Sequence, residues 1–215
     1  MVASVKFCGL TRAEDAREAV ALGAAFIGAV MAGGPRHLSP ALARQVLADP
    51  GAGARRVGVF GADAPTSIDE AAREAGVDII QLHGDPRAAD LCAIRARFNG
   101  PLWAVVRADG SLLPDWAEGL FREADAVLLD AHVPNRLGGT GVTLPWGALA
   151  RTLEALRGGT RVVLAGGLKP ENVAEAIRLL SPDVVDVSSG VESSPGIKDH
   201  ARMRAFIRAA GEHSP

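Results

Sequence analysis

Cysteine is scarce in this chain of 215 residues, which contains only Cys8 and Cys92. The two cysteines lie far apart and outside any Cys-x-x-Cys spacing. The sequence therefore predicts neither a disulfide framework nor a zinc site. An excess of charge is missing as well, because 23 Lys and Arg residues face 25 Asp and Glu residues and the net charge is -2. No positive field attracts nucleic acid, so we expect no nucleic-acid partner.

A long apolar run is also missing. From Ala19 to Pro35 the chain carries no charge, but this stretch is rich in Gly and Ala and shorter than the ~20 residues that a spanning helix needs. The residues after Met1 lack the basic and apolar regions of a signal peptide. We expect a cytoplasmic protein without a membrane segment.

Nucleotide-binding motifs are missing too. No Gly-x-Gly-x-x-Gly follows the first strand, and Gly138-Gly139-Thr140-Gly141 lacks the Lys and Ser/Thr that complete a P-loop. The latter glycines lie in a long loop that reaches Pro145. Such a loop closes over a ligand in some enzymes and is a plain connection in others.

What the sequence does contain is eight short apolar runs, each followed by a helical pattern. Apolar runs without alternation are typical of parallel strands that are covered on both faces. The runs are Val5–Cys8, Phe26–Val30, Val57–Phe60, Ile79–Leu82, Leu102–Val106, Ala126–Leu129, Val162–Leu164 and Val184–Val187.

Helix starts are predicted between these runs. Thr11 with Glu14 and Ser67 with Glu70 fit the capping box, in which side chains and backbone amides bond reciprocally. Ser39-Pro40 and Asp85-Pro86 each place a capping oxygen before a proline that suits the first helical turn.

Eight alternating strand and helix signals predict an α/β fold, a single-domain (β/α)8 TIM barrel over residues 1–215. The alternative is an open, doubly wound sheet, which also alternates strands and helices. The strand count favours the barrel, because eight parallel strands close without leaving edges.

Function in such barrels lies where strands run into the following loops. This rule selects three acid–base candidates: Cys8, His83 and Asp130. Lys6 and Cys8 fall on the same side of their strand, and a nearby cation favours the reactive thiolate. The other interpretation of Cys8 is a small buried hydrophobe, and position alone leaves the two equal. We expect Cys92, beside Leu91 and Ile94 in a helical pattern, to be packed and unreactive.

One acidic residue, Asp186, lies within an apparently buried strand and needs a partner. The last strand neighbours the first in a closed barrel, so Lys6 is the natural counter-ion. Gly166-Gly167 and Ser188-Ser189-Gly190 follow the last two strands, where barrel enzymes often bind phosphate through backbone amides. Two tight turns that merely need glycine would give the same pattern.

Taken together, these segments resemble the phosphoribosylanthranilate isomerase family along nearly the whole chain. The matching pieces include Lys6-Phe7-Cys8-Gly9-Leu10-Thr11, Val57-Gly58-Val59-Phe60, Gln81-Leu82-His83-Gly84, Leu128-Leu129-Asp130, Gly138-Gly139-Thr140-Gly141, Ala165-Gly166-Gly167-Leu168, Pro170-Glu171-Asn172-Val173, Val185-Asp186-Val187-Ser188-Ser189-Gly190-Val191-Glu192, Pro195-Gly196 and Lys198-Asp199.

The resemblance implies an isomerase of tryptophan biosynthesis that needs no metal or organic cofactor. Its substrate would be a phosphorylated aminosugar, N-(5-phosphoribosyl)anthranilate, which undergoes an Amadori rearrangement. Cys8 would be the general base and Asp130 the general acid. Arg36 would bind the anthranilate carboxylate, His83 would contact the substrate, and Gly166, Gly167, Ser188, Ser189 and Gly190 would form the phosphate site.

Some positions depart from the family pattern. Ala29 and Met31 stand where aromatic residues are common, Gly33-Gly34-Pro35 replaces a usual serine and lysine, and Leu144-Pro145 replaces Phe-Asp. None of these removes a presumed catalytic group. Two alternatives stay open: another phosphosugar barrel enzyme, such as an epimerase or an indole-forming synthase, and a catalytically silent phosphosugar-binding barrel. Cys8 would be idle in both.

Overall fold

A computed structural model describes residues 3–48, 53–109, 112–131 and 146–211 of the chain. Eight parallel strands close into a barrel in the order β1 to β8, as the sequence predicts. The strands are β1 Ser4–Phe7, β2 Phe26–Val30, β3 Arg55–Phe60, β4 Ile79–Leu82, β5 Leu102–Ala108, β6 Ala126–Ala131, β7 Arg161–Leu164 and β8 Val184–Val187.

The helices of the described residues alternate with these strands. They are α1 Ala13–Ala21, α2 Pro40–Val46, α3 Pro65–Ala75, α4 Ala88–Arg95, α5 Ala117–Glu123, α6 Trp146–Leu156, α7 Val173–Leu180 and α8 His200–Gly211. Between β8 and α8 the chain forms a 3₁₀ turn, Ser189–Val191, and a short antiparallel hairpin of β9 Glu192–Ser194 and β10 Ile197–Lys198. None of these helices is both long and apolar enough to cross a membrane.

The apolar runs of the strands face two separate cores. Inside the barrel, Phe26, Trp103 and Leu128 pack with the other inward side chains. On the outer face, Ile27 and Leu129 pack against the helices, and the α8 residue Phe206 is fully buried there. Because both faces are covered, the strands are apolar throughout instead of alternating with polar residues.

One predicted helix start is confirmed. Ser39 caps α2 by accepting a hydrogen bond from the amide of Leu42 at 3.3 Å, and Pro40 is the first helical residue. The fixed φ of proline suits that position.

The other three predicted starts are wrong. Helix α1 begins at Ala13, because the Thr11 hydroxyl donates to the carbonyl of Gly196 at 2.5 Å instead of capping the helix. Helix α3 begins two residues before Ser67, at Pro65. Helix α4 begins at Ala88, and Asp85 adopts a left-handed φ of 52° and pairs with Arg107. The predicted glycine loop 138–141 lies outside the described residues.

The amino-terminal end of the barrel carries a repeated stabilising contact. Asp78, Asp125 and Asp183 each precede a strand and accept a hydrogen bond from a backbone amide of the strand before it, at 2.8, 2.8 and 2.6 Å. Each also pairs with an arginine, namely Arg56, Arg95 and Arg157 respectively. A carboxylate thus satisfies a strand amide and a guanidinium at the same time.

This contact predicts a pH-dependent contribution to stability. Burial raises the pKa of Asp78, but hydrogen bonds from Arg56 outweigh burial and leave the pKa below its ordinary value. Because the pKa of Asp78 is lower in the folded state, the carboxylate stabilises the fold at pH values above its unfolded-state pKa of about 4. This contribution is lost as the pH falls through the folded-state pKa. Asp78→Ala should therefore lower the free energy of unfolding at pH 7 by about 1 kcal/mol.

Urea unfolding at pH 7 and pH 3 measures this difference. The exposed residue Asp115 provides the control variant Asp115→Ala, which should unfold like the wild type. The gap between wild type and Asp78→Ala should narrow at pH 3. A gap of equal size at both pH values would contradict the electrostatic explanation.

Candidate active site

A cavity of about 870 Å³, a volume that includes its open mouth, lies at the carboxyl ends of the strands. All nine predicted site residues line it, and they come from strand ends and loops that are far apart in the sequence. They are Cys8, Arg36, His83, Asp130, Gly166, Gly167, Ser188, Ser189 and Gly190. The structure therefore brings together the nine residues predicted for the site.

Lys6 and Asp186 form an ion pair at the base of this cavity, which Asp186 lines. The Lys6 ammonium lies 2.8 Å from Asp186 Oδ2, and the two residues are direct neighbours in the pairing of β1 with β8. Burial lowers the pKa of Lys6, but the charges of Asp186 and Cys8 outweigh it and leave the pKa raised. Lys6 is thus a cation with no exposed surface, and its predicted pairing with Asp186 is confirmed.

Cys8 lies directly above this pair. Gly28 on the neighbouring strand makes room for both, since a Cβ there would stand 3.2 Å from Cys8 Sγ and 3.2 Å from Lys6 Cε. Burial raises the pKa of the Cys8 thiol, Lys6 lowers it, and the net result is a raised pKa. The cation expected beside Cys8, Lys6, is present, but burial raises the Cys8 pKa by more than Lys6 lowers it.

Asp130 and His83 occupy another part of the cavity wall. His83 Nε2 lies 3.7 Å from Asp130 Oδ2, and Asp130 is only 5 % exposed. Burial, together with the charges of Arg107 and Lys6, lowers the pKa of His83 to about 4. His83 is therefore neutral near pH 7 and adds no positive charge next to Asp130.

Arg107 contacts the loop that carries His83 and is not among the predicted site residues. Its Nη2 donates to the carbonyl of His83 at 2.7 Å, and its Nη1 pairs with Asp85. Arg107 also stands directly beside Asp130 in the register of β5 and β6. It holds the loop after β4 in place and helps to keep His83 neutral.

Arg36 belongs to a group of three charged side chains. Its Nε and Nη2 donate to the two oxygens of Glu192 at 2.8 and 2.6 Å, and Glu192 Oε1 also accepts from Lys198 Nζ at 2.8 Å. Burial raises the pKa of Glu192, but Arg36 and Lys198 outweigh it and leave the pKa lowered. Sequence reasoning assigned no role to Glu192 or Lys198, although both lie in segments that match the family, and that match was the available signal.

The two glycine turns after β7 and β8 lie side by side. Gly166 and Gly167 have left-handed φ values of 82° and 65°. Asn172 holds their turn, donating from its side chain to the carbonyl of Gly167 at 3.0 Å. A Cβ on Gly190 would stand 1.9 Å from the carbonyl oxygen of Leu168, so the second turn packs closely against the first.

Gly9 forms the floor beneath Arg36. Its φ is 67°, and a Cβ there would stand 2.5 Å from Arg36 Cδ and 2.9 Å from Ser188 Oγ. The departures at Ala29 and Met31 lie elsewhere, since Ala29 packs in the helix-facing core and the cavity is lined by Val30 and Ala32. Residues 144 and 145 are outside the described ranges. Among the described residues, His, Cys, Asp and Glu form no group of three that could bind a metal ion.

Comparison with known proteins agrees with this geometry. Residues 5–209 match the family model described as N-(5'phosphoribosyl)anthranilate (PRA) isomerase. The chain is 40% identical over 213 residues to the N-(5'-phosphoribosyl)anthranilate isomerase of Thiobacillus denitrificans, with 98% of each chain covered. The chain belongs to the phosphoribosylanthranilate isomerase family.

Solved isomerases share the barrel. The phosphoribosyl anthranilate isomerase of Thermus thermophilus superposes with a TM-score of 0.84 at 37% identity, covering 96% of this chain and 97% of that one. A further phosphoribosyl anthranilate isomerase was solved with reduced 1-(o-carboxyphenylamino)-1-deoxyribulose 5-phosphate. It is 31% identical, with a TM-score of 0.81 and coverage of 97% and 98%.

The floor beneath Arg36 generates a prediction. Gly9→Ala should displace the Arg36 side chain and raise the KM for an isomerase substrate several-fold, while the left-handed φ costs about 1–2 kcal/mol of stability. Gly23→Ala is the matched control, because Gly23 also has a positive φ but nothing lies within 4 Å of its Cβ position. Steady-state kinetics measure the effect on KM, and thermal unfolding measures the effect of backbone strain on stability. An unchanged KM in Gly9→Ala would contradict the predicted displacement of Arg36.

The structure reverses the expected order of thiol reactivity. Cys92 is exposed on α4 and not packed, because only Leu91 and Ile94 of that turn face the core, whereas Cys8 is buried. Thiolates are the reactive form, so the raised pKa also slows Cys8 near neutral pH. Iodoacetamide should modify Cys92 first, and the rate at Cys8 should increase with pH.

Intact mass and peptide mapping measure this order. Cys92→Ala should abolish the fast modification and leave only the slow one, which should inactivate an isomerase. Faster modification of Cys8 than of Cys92 at pH 7 would show that the thiolate is favoured after all.

Proposed function

We propose that this chain catalyses the Amadori rearrangement of N-(5-phosphoribosyl)anthranilate to 1-(2-carboxyphenylamino)-1-deoxyribulose 5-phosphate in tryptophan biosynthesis. The observation that carries the proposal is one cavity lined by a thiol, a carboxyl group, an arginine and two glycine turns. A single catalytic domain of residues 1–215 would act in the cytoplasm on this phosphorylated aminosugar. The proposed chemistry consists of proton transfers and needs no cofactor.

Asp130 is the proposed general acid. It would donate a proton to the furanose ring oxygen, so that the C1–O bond breaks and the aminosugar opens to an iminium ion. The neutral state of His83 supports this role, because a protonated imidazole 3.7 Å away would favour the ionised carboxylate. His83 would also contact the substrate.

Cys8 is the proposed general base. Its thiolate would remove the proton from C2, which the adjacent iminium acidifies, and give an enolamine that tautomerises to the ketone. Cys8 follows β1 and Asp130 lies in β6, which are not neighbours in the barrel, so the two groups approach the substrate from different sides. Lys6 supports the base, because its charge opposes the effect of burial on the Cys8 pKa.

The remaining site residues would bind the two ends of the substrate. Arg36 has five N–H donors, and the two bonds to Glu192 leave three for the anthranilate carboxylate. The turns Gly166-Gly167 and Ser188-Ser189-Gly190 would bind the phosphate through backbone amides and serine hydroxyls. The adjoining 3₁₀ turn Ser189–Val191 matches the short extra helix that often completes such sites.

Purified protein should consume N-(5-phosphoribosyl)anthranilate in a fluorescence assay. Asp130→Asn cannot donate a carboxylic proton and Cys8→Ala cannot accept one, so each should lower kcat by about 10²–10⁴-fold. The exposed Cys92 gives the control variant Cys92→Ala, which should keep wild-type turnover.

Circular dichroism of each variant tests whether folding persists. Wild-type protein that binds the substrate without converting it would support a silent barrel. Wild-type turnover by Cys8→Ala would overturn the proposed mechanism.

A further inference from the structure

Arg36 needs an external constraint to act as a specific binding group. An arginine side chain carries about 2 kcal/mol of rotamer entropy, and its planar fork recognises a carboxylate only in the right plane. Arg36 is 15% exposed at the cavity wall and follows the glycines Gly33 and Gly34, whose φ values are positive. The loop that carries Arg36 therefore does not fix the orientation of the guanidinium, which depends on the contacts of the side chain.

Glu192 supplies that constraint. Both of its oxygens accept from Arg36, at 2.8 Å from Nε and 2.6 Å from Nη2. This bidentate pair fixes the guanidinium plane and leaves three donors unused by Glu192. Arg36 lines the cavity, whereas Glu192 is not among the described residues that line it. Glu192 thus binds Arg36 without lining the cavity itself.

The Glu192 carboxylate is itself held by the barrel framework. Lys198 faces it across the β9–β10 hairpin and donates from Nζ to Oε1 at 2.8 Å. The backbone amide of Lys198 donates to Asp15 Oδ2 at 3.1 Å, and the Asp15 side chain has no exposed surface. The chain of contacts runs from α1 through the hairpin to Arg36.

The charges of this group are complementary to an anion. One carboxylate lies between the guanidinium of Arg36 and the ammonium of Lys198, so the three side chains carry one net positive charge. Lys198 Nζ also donates to the carbonyl of Ser188 at 3.1 Å and is fully buried. Arg36 is therefore the member of the group that presents the positive charge to the cavity.

We propose that Glu192 is a positioning residue that orients Arg36 and so sets the preference of the site for a substrate with a carboxylate on its aromatic ring. This inference rests on the proposed function. Glu192 contacts Arg36 and Lys198 and not the proposed substrate, so its loss should weaken recognition of the carboxylate far more than binding of the phosphate end or the proton transfers. KM should rise while kcat changes little.

Calorimetric titration tests the preference directly. The probes are the reduced product analogue and its carboxamide counterpart, which differ only in the charged group on the ring. Wild-type protein should prefer the carboxylate, and Glu192→Gln should lose at least about tenfold of that preference, or roughly 1.4 kcal/mol. Affinity for inorganic phosphate and for the carboxamide should change much less than affinity for the carboxylate.

Two further variants define the interpretation. Glu192→Asp keeps the charge on a shorter side chain and should recover part of the preference. This variant also tests the proposal if Glu192→Gln does not fold. Glu175 is exposed on α7, and Glu175→Gln should match the wild type in every measurement.

The outcomes separate the two proposals. An unchanged carboxylate preference in folded Glu192→Gln would overturn the positioning role. Equal weakening of carboxylate, carboxamide and phosphate binding would overturn it as well, because it would indicate a general structural effect. Wild-type protein that consumes no N-(5-phosphoribosyl)anthranilate would instead overturn the proposed function, whatever the variants bind.

Discussion

The ion pair of Lys6 and Asp186 joins the first strand of the barrel to the last at the point where the sheet closes. A charge with no exposed surface is strongly unfavourable without a partner, so each residue requires the other. The pair occupies the barrel interior, where Phe26 and Val184 would otherwise continue an apolar core. Closure of the barrel therefore also places a cation beneath Cys8.

Closure of the barrel gives its two ends different features: stabilising contacts at the amino-terminal end of the strands and a cavity at the carboxyl-terminal end. At the amino-terminal end, Asp78, Asp125 and Asp183 connect neighbouring strands through backbone amides and arginines. At the opposite end, residues at the carboxyl ends of β1, β2, β4, β6, β7 and β8 line one cavity. The loops around the cavity contain glycines with positive φ and buried charged side chains. The regular strands, and the contacts at their amino-terminal end, hold these loops in place.

The electrostatics of the cavity depend on burial as much as on charge. Desolvation raises the pKa of Cys8 although Lys6 is adjacent, and the same effect lowers the pKa of His83 to about 4. The thiol and the imidazole are both uncharged near pH 7 as a result. Burial therefore keeps both groups uncharged although charged side chains surround the cavity.

Local pattern determined the strands, the barrel, the Lys6–Asp186 pair and the predicted cavity residues at strand ends, because a parallel barrel sends the carboxyl end of every strand to one mouth. Arg36 came from the family resemblance. Tertiary structure alone decided most of the other contacts between polar groups. Thr11 caps no helix since Gly196 takes its hydroxyl, and Glu192 holds Arg36 from 156 positions away. The exposure of Cys92 likewise depends on which helical face meets the core. Such pairings depend on distances between loops, and periodicity along the chain carries no information about those distances.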